Sequence, residues 1–172
     1  KSILLGAAIP APTVLIRKSY LDRVGVFDEQ IFIPADRDLW LRLSRESSTC
    51  FVDQPLSKYR MSSNYTLKNL DQSLRENIYV LEKQFKAGNS LAPSLRRRIL
   101  QENLFVHAML YRSVENAANA RKVLWHAFVV NPFNGRVLGN LIFSLFGIYL
   151  WNIANREKIR LPYSGYISGI SL

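Results

Sequence analysis

The residues from Val24 to Arg45, VGVFDEQIFIPADRDLWLRLSR, contain the clearest amphipathic segment of the chain. Asp36 stands at the start of the predicted helix, and Leu39, Trp40 and Leu43 follow it three, four and seven residues later. Residues at these spacings share one face of a helix. The pattern therefore predicts a buried face with Asp36 at its N-terminal end.

Asp36 has two chemically reasonable roles. A carboxylate at a helix start can accept hydrogen bonds from the free N–H groups of the first turn, and it suits the positive end of the helix dipole. It can also act as a general base if a pocket opens above the helix end. Asp38 and Arg42, which are four residues apart, are predicted to form a solvated pair on another face of the helix.

The composition indicates a globular protein with a basic second part. At 172 residues and a net charge of +10, the chain is long enough for one domain or for parts of two. Residues 1–60 carry nine Lys or Arg against seven acids, and residues 61–172 carry fourteen against six. This excess favours partners that bear phosphate, and a solvated basic face is the alternative. The single cysteine, Cys50, excludes an internal disulfide, and no Cys and His pattern predicts a metal site.

Residues 1–66 show a mixed α/β pattern. Short strands are predicted at residues 13–16, 50–52 and 56–61, and helices at residues 20–24 and 36–46. So few strands cannot bury a sheet on both faces. Since the chain also does not begin with Met, we expect it to be part of a longer protein with a further section upstream.

Residues 67–160 predict an all-α region, followed by a flexible tail at 161–172. Helices are predicted at residues 67–87, 93–112, 116–130 and 134–151. Within residues 101–134, six positions fall at tetratricopeptide-repeat spacing, namely Leu104, Ala108, Tyr111, Ala120, Leu124 and Ala127. Small residues at this spacing let two antiparallel helices approach closely, so one helical hairpin is predicted. An unrelated pair of packed helices is the alternative.

The most hydrophobic run is VLGNLIFSLFGIYLWNIA at residues 137–154. It is slightly short for a membrane span and contains polar residues, so a helix that covers the hairpin is predicted. The alternative is an interfacial helix, with Arg156, Lys158 and Arg160 on lipid phosphates.

Three blocks resemble the C-terminal half of the catalytic domain of family 2 glycosyltransferases, which have the GT-A fold. They are TVLIRKSYLDRVGVFDE at residues 13–29, PADRDLWLRLSRE at 34–46 and PLSKYR at 55–60. The resemblance implies that residues 1–66 are the acceptor-side half of a Rossmann-like domain, and that a helical extension follows. The fold class expected is thus an α/β fragment followed by an all-α region.

By this resemblance, Asp36 falls on the catalytic base of the family. The family transfers a sugar, with inversion, from a nucleotide-diphosphate sugar to an acceptor hydroxyl in polysaccharide or glycolipid assembly. Tyr59 and Arg60 would lie near the diphosphate, and Trp40 would line the acceptor pocket. By its spacing alone Trp40 also fits a core position, and Arg60 also fits a structural ion pair.

The resemblance also implies a divalent cation, Mg or Mn, for the full-length enzyme. The Asp-x-Asp motif that holds this metal belongs to the N-terminal half of the family domain, which the matched blocks do not include. Two positions depart from the family pattern, since Ala35 replaces an acidic residue and Ser62 stands where many members have His. The fragment alone is therefore expected to be inactive.

The partners expected are a nucleotide-sugar donor and a carbohydrate or lipid-linked acceptor, in the cytoplasm or peripherally at the inner face of the membrane. No nucleic acid is expected, because the run Arg96-Arg97-Arg98 lacks an aromatic platform. The alternative function is a non-catalytic helical module that binds a protein partner or a membrane surface through residues 67–160.

Overall fold

A computed structural model describes residue 4 and residues 9–58, 65–87 and 91–146. The chain divides into two compact units, residues 1–89 and 90–172. The first unit contains a 3-10 turn at Ala11–Thr13 and the helices α1 (Lys18–Val24), α2 (Ala35–Glu46), α3 (Tyr65–Lys68) and α4 (Leu70–Lys86). The second unit contains α5 (Pro93–Ser113), α6 (Ala117–Val130) and α7 (Gly135–Leu145).

The α/β fold predicted for residues 1–66 is wrong for the described part of the chain, which is helical and contains no β-strand or sheet. The predicted strand segments show why. Leu15 is 100 % exposed and Phe51 is 84 % exposed, so their apolar side chains face solvent instead of a second layer. A strand also needs a neighbour for its N–H and C=O groups, and no described segment supplies one. An apolar run in the sequence cannot reveal whether that neighbour exists.

The core of the first unit forms where α1 meets α2. Leu39, Trp40 and Leu43 are buried, which confirms the predicted apolar face of α2. The side chains packed against them are partly buried and come from the segment before α1 and from α1 itself, namely Val14, Ile16, Tyr20, Leu21 and Val24. Burial of this apolar face is the main reason that α2, a helix of twelve residues, is stable.

Helix α4 also belongs to the first unit, although residues 67–87 are predicted to be part of the helical extension. The predicted helix at 67–87 is interrupted, since α3 ends at Lys68 and α4 begins at Leu70. Val80 and Leu81 are fully buried, while Arg75 and Lys86 lie on more accessible sides of the helix. Helix α4 thus contributes one apolar face to the first unit.

The second unit is built on the packing of α5 against α6. Ala108, Ala120, Leu124 and Ala127 are completely buried, and Leu104 and Tyr111 are nearly so. Small side chains at three of these positions allow the two helix backbones to approach closely. The six residues at tetratricopeptide-like spacing therefore all lie in the core of this helical hairpin.

Gln101 of α5 contacts the end of α6 and the residue that caps α7. Its Nε2 donates to the carbonyl oxygens of Ala127, at 3.0 Å, and Asn131, at 2.7 Å. Its Oε1 accepts from Nδ2 of Asn131, at 3.2 Å, and of Asn134, at 2.9 Å. Asn134 in turn caps α7, because its Oδ1 accepts from the N–H groups of Arg136 and Val137. This buried amide fixes the turn between α6 and α7.

The helix predicted at 134–151 begins as expected, with α7 starting at Gly135, and its described part ends at Leu145. The remainder of that prediction lies outside the described residues, as does the predicted tail at 161–172. Among the helices of the described ranges, none combines the length and the hydrophobicity that a membrane span requires.

Candidate active site

Asp36 is the second residue of α2, and its side chain is partly exposed. The N-cap residue is Pro34, which makes no side-chain cap. One oxygen of Asp36, Oδ1, accepts the N–H of Arg37 at 2.7 Å, so the carboxylate satisfies a first-turn donor without standing at the N-cap position. This contact matches the role of satisfying first-turn donors, and the role of general base also requires a pocket above the helix end.

The surroundings of Asp36 increase its affinity for a proton. Burial raises the pKa of this carboxyl above its ordinary value of 3.8. Hydrogen bonds from the backbone N–H groups of Arg37 and of Asp36 itself, together with the charge of Arg37, offset only part of this effect. A carboxylate with a raised pKa is a stronger base than an ordinary surface aspartate.

Glu76 of α4 holds the segment that leads into α2. Its Oε2 accepts the N–H of Phe32 at 3.0 Å and the N–H of Ile33 at 2.7 Å, while its Oε1 accepts from Gln72 at 2.7 Å. The next residue, Pro34, is buried. These contacts set the position from which α2 starts, and hence the position of Asp36. Nothing in the sequence around Glu76 indicated this role.

Arg37 also connects the start of α2 to α4. Its Nη1 donates to Oδ1 of Asn77 at 2.5 Å, and its Nη2 donates to the carbonyl oxygen of Leu4 at 2.9 Å. A planar guanidinium can hold two acceptors at a fixed angle. The residue beside Asp36 is therefore tied to two other parts of the first unit.

Asp38, two residues after Asp36, is the most deeply buried acid of this unit, with 0 % exposure. Its carboxylate accepts from Nε of Arg42 at 2.9 Å, from Nζ of Lys83 at 3.2 Å and from Nε2 of Gln84 at 3.3 Å. The pairing with Arg42 confirms the sequence prediction, but the prediction that the pair is solvated is wrong. Lys83 and Gln84 come from α4, and no sequence pattern indicated that α4 packs here.

Arg42 links this buried carboxylate to the end of α1. Its Nη1 donates to the carbonyl oxygens of Val24, at 2.6 Å, and Gly25, at 3.3 Å, and its Nη2 donates to that of Val26 at 2.6 Å. Gly25 has a φ of +80°, a conformation that glycine adopts without strain and that ends α1. Arg42 thus satisfies carbonyl groups that the end of α1 leaves free.

Lys83 completes a chain of four charged groups, Asp28, Lys83, Asp38 and Arg42, which we call the ionic chain. The Nζ of Lys83 lies 2.7 Å from Oδ2 of Asp28, whose Oδ1 accepts the N–H of Gln30. The hydrogen bond from Lys83 lowers the pKa of Asp28. Burial lowers the pKa of Lys83, but the hydrogen bonds to Asp28 and Asp38 outweigh this effect and raise it overall. Two acids and two bases thus balance one another between α2, α4 and the segment that precedes α2.

Of the other predicted site residues, Trp40 lies within the described residues and Tyr59 and Arg60 do not. Trp40 is buried in the core with Leu39 and Leu43, and its Nε1 donates to the carbonyl oxygen of Ile9 at 3.0 Å. This placement fits the core position that its spacing allowed, and stacking on a sugar stays a prediction. Tyr59 and Arg60 lie outside the described residues.

Two surface depressions of the first unit lie along α4. One is lined by Tyr79, Glu82, Lys83, Lys86 and Ala87, and another by Gln30, Arg75, Glu76 and Tyr79. Neither of these two includes Asp36. Within the described ranges, no three His, Cys, Asp or Glu side chains are grouped so that they could hold a metal ion.

Comparisons with known proteins do not assign the chain to a family. No family model, no curated protein and no solved structure matches it. The resemblance to family 2 glycosyltransferases therefore rests on the three sequence blocks alone.

Proposed function

We propose that the chain is part of an inverting glycosyltransferase in which Asp36 is the general base. The observation that carries the proposal is the environment of this carboxylate, which is partly exposed in the first turn of α2 and has a pKa raised by burial. The proposal concerns the chemistry of Asp36. It does not include the α/β fold, which the helical structure overturns for the described residues.

The transfer reaction requires a general base that reaches the acceptor hydroxyl. An acceptor hydroxyl has a pKa far above 7, so it must lose its proton as its oxygen attacks the anomeric carbon. Asp36 takes that proton while the new C–O bond forms. The bond from the anomeric carbon to the nucleotide diphosphate breaks at the same time, and the diphosphate leaves with the electron pair. A divalent cation, Mg or Mn, supplied by another part of the full-length enzyme, would neutralise the charge on the departing diphosphate.

The contacts of α2 support a positioned base. The ionic chain connects α2 to the end of α1 and to α4, and Glu76 fixes the segment that precedes the helix. A catalytic carboxylate is more effective when its backbone is held by neighbouring contacts than when it lies on a mobile loop. Asp36 lies in the first turn of a helix that is held in this way.

The substrates would be a nucleotide-sugar donor and a carbohydrate or lipid-linked acceptor. An enzyme of this class would act in the cytoplasm, with its lipid-linked acceptors at the inner face of the membrane. Within this proposal, the roles of Trp40 at the acceptor and of Tyr59 and Arg60 at the diphosphate rest on the sequence resemblance.

Replacement of Asp36 by Asn tests the proposal. In the full-length enzyme, with a nucleotide sugar and an acceptor, we expect Asp36→Asn to lower the turnover number roughly a hundredfold or more, because Asn cannot accept the proton. Asp22→Asn is a matched control, since Asp22 is an exposed acid on α1, and we expect it to leave turnover within about twofold. Unchanged turnover in Asp36→Asn would remove this residue from the mechanism.

A further inference from the structure

The described part of α7 buries a largely polar stripe and exposes an apolar one. Val137, Asn140 and Ser144 are buried. Leu138, Ile142 and Leu145, which are spaced by four and then three residues, are 38 %, 45 % and 70 % exposed. A surface helix of a globular protein normally has the opposite arrangement, with its apolar stripe facing the core. The exposed stripe of α7 therefore needs an explanation beyond the stability of the second unit.

The buried polar side chains of α7 make hydrogen bonds within the helix, and a further hydrogen bond joins its C-terminal end to α6. Asn140 donates from Nδ2 to the carbonyl oxygen of Arg136 at 2.9 Å, and the hydroxyl of Ser144 donates to the carbonyl oxygen of Leu141 at 2.6 Å. Arg121 of α6 donates from Nη1 to the carbonyl oxygen of Ser144 at 3.2 Å. Because Asn140 and Ser144 have hydrogen-bond partners, burying them costs little, which is compatible with an apolar stripe that faces outward.

Aromatic side chains extend the exposed surface. Phe143 on α7 and Phe146, its C-cap residue, are also exposed, and together with Leu138, Ile142 and Leu145 they form what we call the α7 surface. Elsewhere in this unit, Phe133 in the turn before α7 and Trp125 on α6 are exposed as well. Aromatic and aliphatic side chains together are typical of helices that lie in the boundary between lipid headgroups and acyl chains.

The charge of the second unit is strongly positive. Between residues 91 and 146 there are seven Arg or Lys residues and two Glu residues, a net charge of +5 from seven minus two. Lys122 on α6 is exposed, whereas Arg136 at the start of α7 is half exposed and forms an ion pair with Glu102. Basic side chains near an apolar helix face are the combination that anionic lipid surfaces attract.

We propose that the α7 surface docks on an anionic membrane, with its apolar side chains among the headgroups and the basic residues of the unit near lipid phosphates. Helix α7 has eleven residues and is roughly 16 Å long, so it would lie on the membrane. Docking of a second copy on the same surface would bring two cationic units together, which the charge opposes. The proposal is independent of Asp36, which belongs to the other unit.

Vesicle flotation tests the proposal with the full chain. We expect binding to vesicles that contain phosphatidylglycerol, weaker binding to vesicles of phosphatidylcholine alone, and a loss of binding as salt concentration rises. The double variant Ile142→Gln and Leu145→Gln should lower the partition coefficient roughly tenfold or more, because two apolar side chains no longer leave water. Gln keeps a good helix propensity at these exposed positions, so α7 should still form.

Two further variants keep the test decisive. Phe51→Ser is the matched control, because Phe51 is a largely exposed apolar residue of the other unit, and its binding should equal that of the unchanged chain. Lys122→Glu should weaken binding to the anionic vesicles by roughly fivefold or more, with no effect on phosphatidylcholine vesicles. The proposal is overturned if no vesicle is bound, if the double variant binds as well as the control, or if light scattering shows a dimer that the double variant dissociates.

Discussion

Replacement of Lys83 by Met should lower the free energy of unfolding of the first unit around α2. Lys83 contacts Asp28 at 2.7 Å and Asp38 at 3.2 Å, and Asp38 is completely buried. Removing one partner of a fully buried ion pair costs about 3–5 kcal/mol. The cost here should be smaller, because the Lys83 side chain is 30 % exposed and Asp38 keeps its hydrogen bond to Arg42. We expect a loss of about 1–3 kcal/mol.

Hydrogen exchange measured by mass spectrometry resolves this effect within the chain. Such a loss in the free energy of unfolding should increase the exchange rate of α2 amides about fivefold to a hundredfold. This applies to the amides that exchange only when the unit opens. Lys86→Met is the matched control, since Lys86 is an exposed lysine on the same helix, and its effect should stay within about 0.5 kcal/mol. Equal exchange in the two variants would refute the structural role of the ionic chain.

The pH dependence of the same measurement follows from the pKa shifts. Lys83 lowers the pKa of Asp28 below 3.8, so the stability from this contact is present above that value and is lost as pH falls through the folded-state pKa. The pKa of Lys83 is raised above 10.5, so its contribution is lost as pH rises through the folded-state value. We expect the difference in the stability of α2, measured by hydrogen exchange, between the unchanged chain and Lys83→Met to be constant near neutral pH. This difference should shrink at both pH extremes.

Three further changes test other parts of the structure. Asp36→Asn should increase the free energy of unfolding at neutral pH. The pKa of Asp36 is raised above 3.8, so stability is lost as pH rises through the folded-state pKa, and the neutral Asn avoids this loss. Denaturation at several pH values should show the gain vanishing below about pH 3. Gln101→Ala should cost about 2–4 kcal/mol, because four buried or half-buried hydrogen bonds lose their partner, and amides at the end of α6 should exchange faster. Ala120→Leu should cost about 1–3 kcal/mol by overpacking the α5–α6 contact, whereas the exposed Ala118→Leu should have little effect on thermal unfolding.

The helices were the part of the fold that the sequence predicted well. Leu39, Trp40 and Leu43 repeat at helical spacing, and their burial follows from that spacing. The helix starts predicted at residues 93, 116 and 134 lie within one residue of the observed starts, where Pro93 begins α5 and Asn116 and Asn134 cap α6 and α7.

The strands failed because an apolar run does not specify its partner. Val14 has an extended backbone, but the neighbouring Leu15 faces solvent and no described strand lies beside it. Resemblance of blocks 13–29 and 34–46 to a family with an α/β fold reinforced the same interpretation. For the described residues, helical packing against α2 took the place of a sheet.

The contacts between α4 and the start of α2 could not be predicted from residue spacing. Asp38 and Arg42 were identified as a pair, but their burial depends on Lys83 and Gln84, which lie more than forty residues away along the chain. Glu76 reaches the backbone of Phe32 and Ile33 over a similar separation. Contacts of this kind are decided by how α4 packs, and the polar face of an amphipathic helix carries no signal of its partner.

The pH dependence of sugar transfer tests the role of Asp36 most directly. We would measure the rate at a fixed metal concentration from about pH 4 to about pH 8, for the full-length enzyme and for its Asp36→Asn variant. We expect the rate of the unchanged enzyme to rise with pH along a limb whose apparent pKa lies above 3.8, because a raised pKa belongs to the base. Asp36→Asn should abolish this limb together with most of the activity. A limb that persists unchanged in Asp36→Asn would show that another group takes the proton.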